Sequence, residues 1–226
     1  MEFKMKKLLL SLALSLGALS VTPAMAAAPA FSASQMAQIK LKDLSFKEVM
    51  RQFYNGQMFD IHVDYMEDTP YIGLGKYDDS DRATIALMRP VIQYKNTAGE
   101  DRYLILIEKT QVSDGEIDSC HICKATADLY SFKKLKNGFF QLVSRTPKNV
   151  EESGSNGSSG LYAEDIQEGM QPLGKNLVGS LFTNFYMGQG ARDDWWKALH
   201  LPENDFINVY YVGDAGSNND GQHDES

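Results

Sequence analysis

The chain is 226 residues long and carries 22 Lys or Arg against 30 Asp or Glu, a formal charge of −8 at pH 7. Hydrophobic residues make up 43% of it, enough to bury a sizeable core in one domain. An acidic chain without a basic cluster gains nothing from neutralising phosphates, which argues against nucleic acid and anionic membrane surfaces as partners.

The N-terminus predicts export. Lys4, Lys6 and Lys7 precede an apolar run from Leu8 to Val21, which Thr22-Pro23 ends. Ala24-Met25-Ala26 places small residues where a signal peptidase needs them, so residues 1–26 read as a signal peptide cut before Ala27. The apolar run is too short to cross roughly 30 Å of hydrocarbon as a helix. No Cys follows the cut, so a lipid anchor lacks its acceptor. The lysine- and leucine-rich style is that of a bacterial leader, and the expected location is the periplasm. Cleavage removes Glu2 and three lysines, leaving 19 basic and 29 acidic side chains and a charge of about −10. A protein or a cationic ligand is therefore the expected partner. No later stretch is apolar enough to predict a membrane span.

Residues 33–55 read as an N-terminal helix, with Ser34 or Ser45 as N-cap, Leu44, Val49, Met50 and Phe53 near helical spacing, and Asn55-Gly56 as the stop. The texture then becomes that of strands. Tyr71–Tyr77 is short, Ala83–Tyr94 is interrupted by Pro90, and Arg102–Lys109 is the clearest strand in the chain. Residues 95–101 (KNTAGED) join the last two as a hairpin turn. A second hairpin is expected from Ala127–Leu135, a turn at Asn137-Gly138, and Phe139–Arg145. Seven of the ten residues 151–160 are Gly or Ser, which predicts a flexible loop. Leu177–Met187 fits strand or helix. Asp193 reads as the N-cap of a short C-terminal helix through Trp195, Trp196 and Leu199, stopped before Pro202. Phe206–Val212 is a last strand, and residues 214–226 read as a disordered acidic tail. The sum is a single α+β domain over 27–213, with a mostly antiparallel sheet.

Cys120 and Cys123 are the only cysteines and form Cys-His-Ile-Cys. In an oxidising compartment two such neighbours pair, and a small disulfide pinning a loop between strands is the first reading. The second is thiol–disulfide exchange by Cys120, His121 and Cys123. A helix opening at the motif would favour the thiolate, and a protonated His121 would add to that. The residues that follow, Lys124 to Ala127, lead into a strand pattern instead, and no βαβ unit surrounds the motif. Haem attachment needs a histidine where Lys124 stands. Zinc needs four ligands, and His62, His200 and His223 lack paired spacing.

Other chemistry finds no frame. The run from Asp214 to Gly221 has the composition of a calcium loop but not its register, and Asp78-Asp79-Ser80-Asp81 reads as a turn. Gly154–Ser158 lacks the nucleophile-elbow pattern, and no phosphate-binding glycine motif is present. Asp60 and His62 share a side of a probable strand without a third partner. No cofactor is implied. The densest aromatic patch is Trp195-Trp196 close to Tyr186. On a helix adjacent tryptophans diverge by about 100°, so both wedge between helix and sheet or one covers a binding surface.

The stretch from Asp118 to Val143 combines Cys-His-x-Cys, a Phe-containing strand, Asn-Gly and an aromatic-rich strand. It resembles uncharacterised secreted proteins of Gram-negative bacteria, with Pro172-Leu-Gly-Lys-Asn and Met187-Gly-Gln-Gly as companion pieces. That resemblance implies a periplasmic domain of unassigned activity in which Cys120–Cys123 is a feature of the fold. A binding or protein-interaction module is the leading functional reading. A thiol–disulfide protein and a structural envelope protein stand behind it.

Overall fold

A computed structural model of the chain describes residues 31–66, 68–75, 82–147, 150–151, 156–188 and 191–218. The expected signal peptide, the Asp78–Asp81 turn, part of the Gly/Ser-rich loop and the chain from 219 onward lie outside these residues.

In chain order come α1 (Ala33–Gln38), β1 (Lys40–Leu41), α2 (Phe46–Phe53), β2 (Met58–Phe59), β3 (Tyr71–Leu74), β4 (Arg82–Met88), β5 (Ile92–Lys95), β6 (Asp101–Ser113), β7 (Glu116–Ile117), β8 (Thr126–Lys134), β9 (Phe140–Arg145), β10 (Val150–Glu151), α3 (Ala163–Glu168), β11 (Met170–Gly174), β12 (Leu177–Gly188), β13 (Ala191–His200) and β14 (Asn208–Asn218). The large sheet runs β1-β9-β8-β6-β4-β3-β2, with β5 and β7 also on β6 and β10 on β8. A second sheet runs β11-β12-β13-β14. Every described strand pair is antiparallel, as the hairpin signals require.

Two turns set the register of the large sheet. Between β5 and β6, Asn96 Oδ1 accepts the N–H groups of Ala98 (3.0 Å) and Glu100 (2.9 Å), and Gly99 supplies a positive φ of 79°. Gly138, at φ 88°, does the same between β8 and β9. The middle of the central strand β6, residues 103–107, is an unbroken apolar run because both its faces are covered. Ile105 and Ile107 pack with Val49, Met50 and Phe132 under the helices. Leu104 and Leu106, on the opposite face, pack with Ile166 of α3 and with Val178, Phe182 and Leu199 of the second sheet. The result is three layers: α1 and α2, the large sheet, and the second sheet with α3.

The structure departs from the sequence reading in several elements. The expected helix 33–55 is two short helices, because residues 40–41 pair with Phe140–Gln141 of β9 instead. Ser45 does cap α2, accepting the Glu48 N–H at 3.4 Å, whereas α1 is capped by Ser32 rather than Ser34. The interruption expected at Pro90 is present, and β4 and β5 lie end to end along one edge of β6. The expected C-terminal helix at 193–199 is part of strand β13: ten residues pair in register with β12, and these non-local bonds override a local N-cap signal. Finally, β14 extends to Asn218, through the first residues of the expected tail.

Candidate interaction surface

The Cys-His-Ile-Cys segment forms a turn between β7 and β8. The Cys123 N–H donates to the Cys120 carbonyl at 2.8 Å, and the two sulfurs are bonded across a Cα separation of 5.0 Å. The disulfide of the first reading is present. No helix opens at the motif, since β8 begins at Thr126, so no helix N-terminus faces the sulfurs. Cys120, His121 and Ile122 are exposed.

This loop holds down what the sequence suggested was free chain. Gly157 donates its N–H to the Cys123 carbonyl (2.9 Å), Ala125 donates to the Ser158 carbonyl (3.2 Å), and the Thr110 hydroxyl donates to the Gly157 carbonyl (2.8 Å). Ser159 donates its N–H to the buried Glu108 carboxylate, which also takes the Arg89 guanidinium. Residues 156–160 are thus packed, with Gly157, Ser159 and Gly160 buried.

Above the loop lies the ribbon of β12, β13 and β14. Strand geometry sends neighbouring residues to opposite faces. Val178, Ser180, Phe182 and Asn184 point inward and are buried. Trp195 is the cross-strand partner of Asn184 and shares that inner face, while Trp196 pairs with Thr183 and faces outward, 41% exposed. The tryptophan pair is therefore split. The buried Trp195 Nε1 and Asn184 Nδ2 find no acceptor among the described residues, and the Asn184 amide packs over Gly160, where a Cβ would come within 2.7 Å of it.

Tyr186 continues the inner face past the end of the core. Its ring crosses Gly188 and meets the His121 ring at a centroid distance of 5.9 Å. The two sets of residues singled out in the sequence, the cysteine loop and the aromatic patch, touch at this contact. Trp196 stands apart from it on the other face.

Large exposed apolar side chains gather on this ribbon. Tyr186, Met187, Trp196, Tyr210, Tyr211 and Val212 are each at least 39% exposed. On the outer face Arg192 lies over the Phe185 ring, 4.3 Å from its centroid, and is held by Asp194 through Nε (3.0 Å) and Nη2 (2.7 Å). Beside Trp196 stands Gly213, where a Cβ would meet nothing within 4 Å. Sequence reasoning missed Arg192, Phe185, Tyr210, Tyr211 and Val212. The run Tyr210-Tyr211-Val212 was itself a signal, because three consecutive apolar residues in a strand need cover on both faces.

Other candidates are dispersed. His62 pairs with Asp64 (3.1 Å) at an exposed site with no regular secondary structure, and not with Asp60. His200 lies on β13, and burial holds its imidazole below the usual value, partly offset by Asp205. Among the described residues no group of His, Cys, Asp and Glu is placed to hold a metal ion. The helix side of the large sheet carries a polar network that the sequence did not reveal. Asp128 accepts from Lys109 Nζ (2.7 Å) and from the Tyr54 hydroxyl (2.6 Å), and Tyr130 donates to Tyr54 at 3.3 Å. Burial raises both phenols far above their ordinary range, so this network is a satisfied part of the core.

Compared with protein-family models, curated proteins and solved structures, the chain gives no match.

Proposed function

We propose that this chain is an exported periplasmic protein that acts as a protein-interaction module, with the outer face and β14 side of the second sheet as its contact surface. The observation that carries the reading is the grouping of Trp196 and Tyr210 as exposed side chains on the outer face, with Met187 further along that face and Tyr211 and Val212 exposed on the edge strand β14. Single exposed apolar residues are ordinary on a folded surface, but contiguous ones mark a contact surface. Tyrosine and tryptophan are also the residue types that dominate interface energetics. No helix among the described residues is long and apolar enough to cross a membrane.

The test is affinity capture from periplasmic extract with the wild type, Trp196→Ala and Tyr210→Ser, each first shown by thermal melting to be folded. The expected result is one species retained by the wild type and lost from both variants. Equal retention by all three would refute the surface assignment. An exposed Cys120 with His121 beside it favours a second reading, thiol–disulfide exchange. A reduction potential above roughly −230 mV would support it, and one below roughly −300 mV would identify a structural bridge.

A further inference from the structure

Resting on that reading, we propose that the outer face of the second sheet recognises a basic, extended segment of its protein partner, with an arginine or lysine of that segment stacked on Trp196. The face already seats one cation in this manner. Arg192 lies 4.3 Å from the Phe185 centroid while Asp194 holds its guanidinium, so an aromatic ring and a carboxylate on paired strands form a working cation seat. One step along β13, the Trp196 ring has the same outward aspect. It stands between Thr183 and Gly213, and beside Gly213 there is open space. Tryptophan is the strongest of the aromatic platforms for a cation, and this one is exposed.

The charge around the platform selects the sign of the ligand. The chain as a whole carries a formal charge of −8, and its described stretch from Asp205 to Asn218 has Asp205 and Asp214 and no Lys or Arg. An acidic chain draws a basic segment in and opposes a second copy of itself. Tyr210 and Val212 beside the platform supply apolar surface for the alternate side chains of an extended peptide.

The experiment uses the mature protein and a nine-residue acetylated peptide of alternating arginine and valine. Its control replaces every arginine by citrulline, which keeps the shape and removes the charge. Titration calorimetry at low and at physiological salt reads both. The expected result is binding of the arginine peptide that weakens with salt, about tenfold loss in Trp196→Ala, partial recovery in Trp196→Phe and no loss in Trp195→Phe. Equal affinity for the citrulline peptide would overturn the cationic specificity while leaving the interaction surface standing. Failure of both peptides, with extract capture that still depends on Trp196, would likewise overturn it and leave the module reading intact. Failure of both peptides together with capture indifferent to Trp196 would overturn the two readings at once. Concentration-dependent dimerisation abolished by Trp196→Ala would assign the face to a second copy and refute the basic partner.

Discussion

Gly157→Ala separates a packed segment from a flexible one. Gly157 sits at φ 74°, in the left-handed region, and a Cβ there would come within 2.7 Å of Ile117 Cγ2 and 2.9 Å of the Asp118 carbonyl oxygen. The Asp118 carbonyl is backbone, and its residue is tied to β6 by an N–H bond to the Gln111 carbonyl (2.9 Å), so it cannot swing aside as a side-chain tip could. Gly56→Ala is the control, because Gly56 has nearly the same φ (78°) and nothing within 4 Å of a new Cβ. The left-handed conformation alone costs about 1 kcal/mol for alanine. Forcing a methyl into a filled site adds about 2 kcal/mol, giving about 3 kcal/mol at Gly157. For a domain of this size the melting temperature should fall by about 3 °C in Gly56→Ala and about 9 °C in Gly157→Ala. Thermal unfolding by circular dichroism reads both. Equal losses in the two variants would mean that residues 156–160 yield freely, and the account of the loop beneath the ribbon would fail.

Reducing the Cys120–Cys123 disulfide should leave the protein folded, because the bridge closes a very short ring and the chain-entropy model assigns it only about 2 kcal/mol. The melting temperature should drop by about 6 °C with the near-ultraviolet dichroism retained, and wholesale unfolding on reduction would contradict this. His200 should impose a pH dependence. Burial lowers its folded pKa below the ordinary 6.5, so its contribution is complete above that value. It is lost as the pH falls from 6.5 through the folded pKa, since the unfolded chain takes up the proton first. His200→Asn should therefore lose less melting temperature than the wild type between about pH 7.5 and about pH 5.5, and identical losses would show that the imidazole does not contribute.

Residues whose conformation is decided within a few positions of chain were legible in the sequence. The Asn96 and Gly138 turns, the Ser45 cap and the closure of Cys120 with Cys123 all depend on bonds between near neighbours. The strand at Arg102–Lys109 was legible too, from its own composition, although what covers its two faces was not. The aromatic patch was found as a patch, but its chemistry was read through the wrong element. As a helix the segment 193–199 would turn Trp195 and Trp196 by about 100° from one another. As a strand it sends them to opposite faces, which turns Trp195 inward and leaves Trp196 exposed.

Helix and strand are both open to a sequence such as Asp193–Leu199 until a second strand arrives with its hydrogen bonds, and β12 provides them from outside the segment. The same holds for residues 156–160. Glycine and serine are flexible when nothing binds their backbone, but here Glu108, Thr110 and Cys123 accept or donate to it from strands and loops more than thirty residues away. The contact of His121 with Tyr186 has the same origin, in a loop and a strand brought together only when the second sheet closes over the first. Hydrogen bonds and packing between distant segments are cooperative terms that no local window contains, and they decided which aromatic side chains are buried and which are exposed.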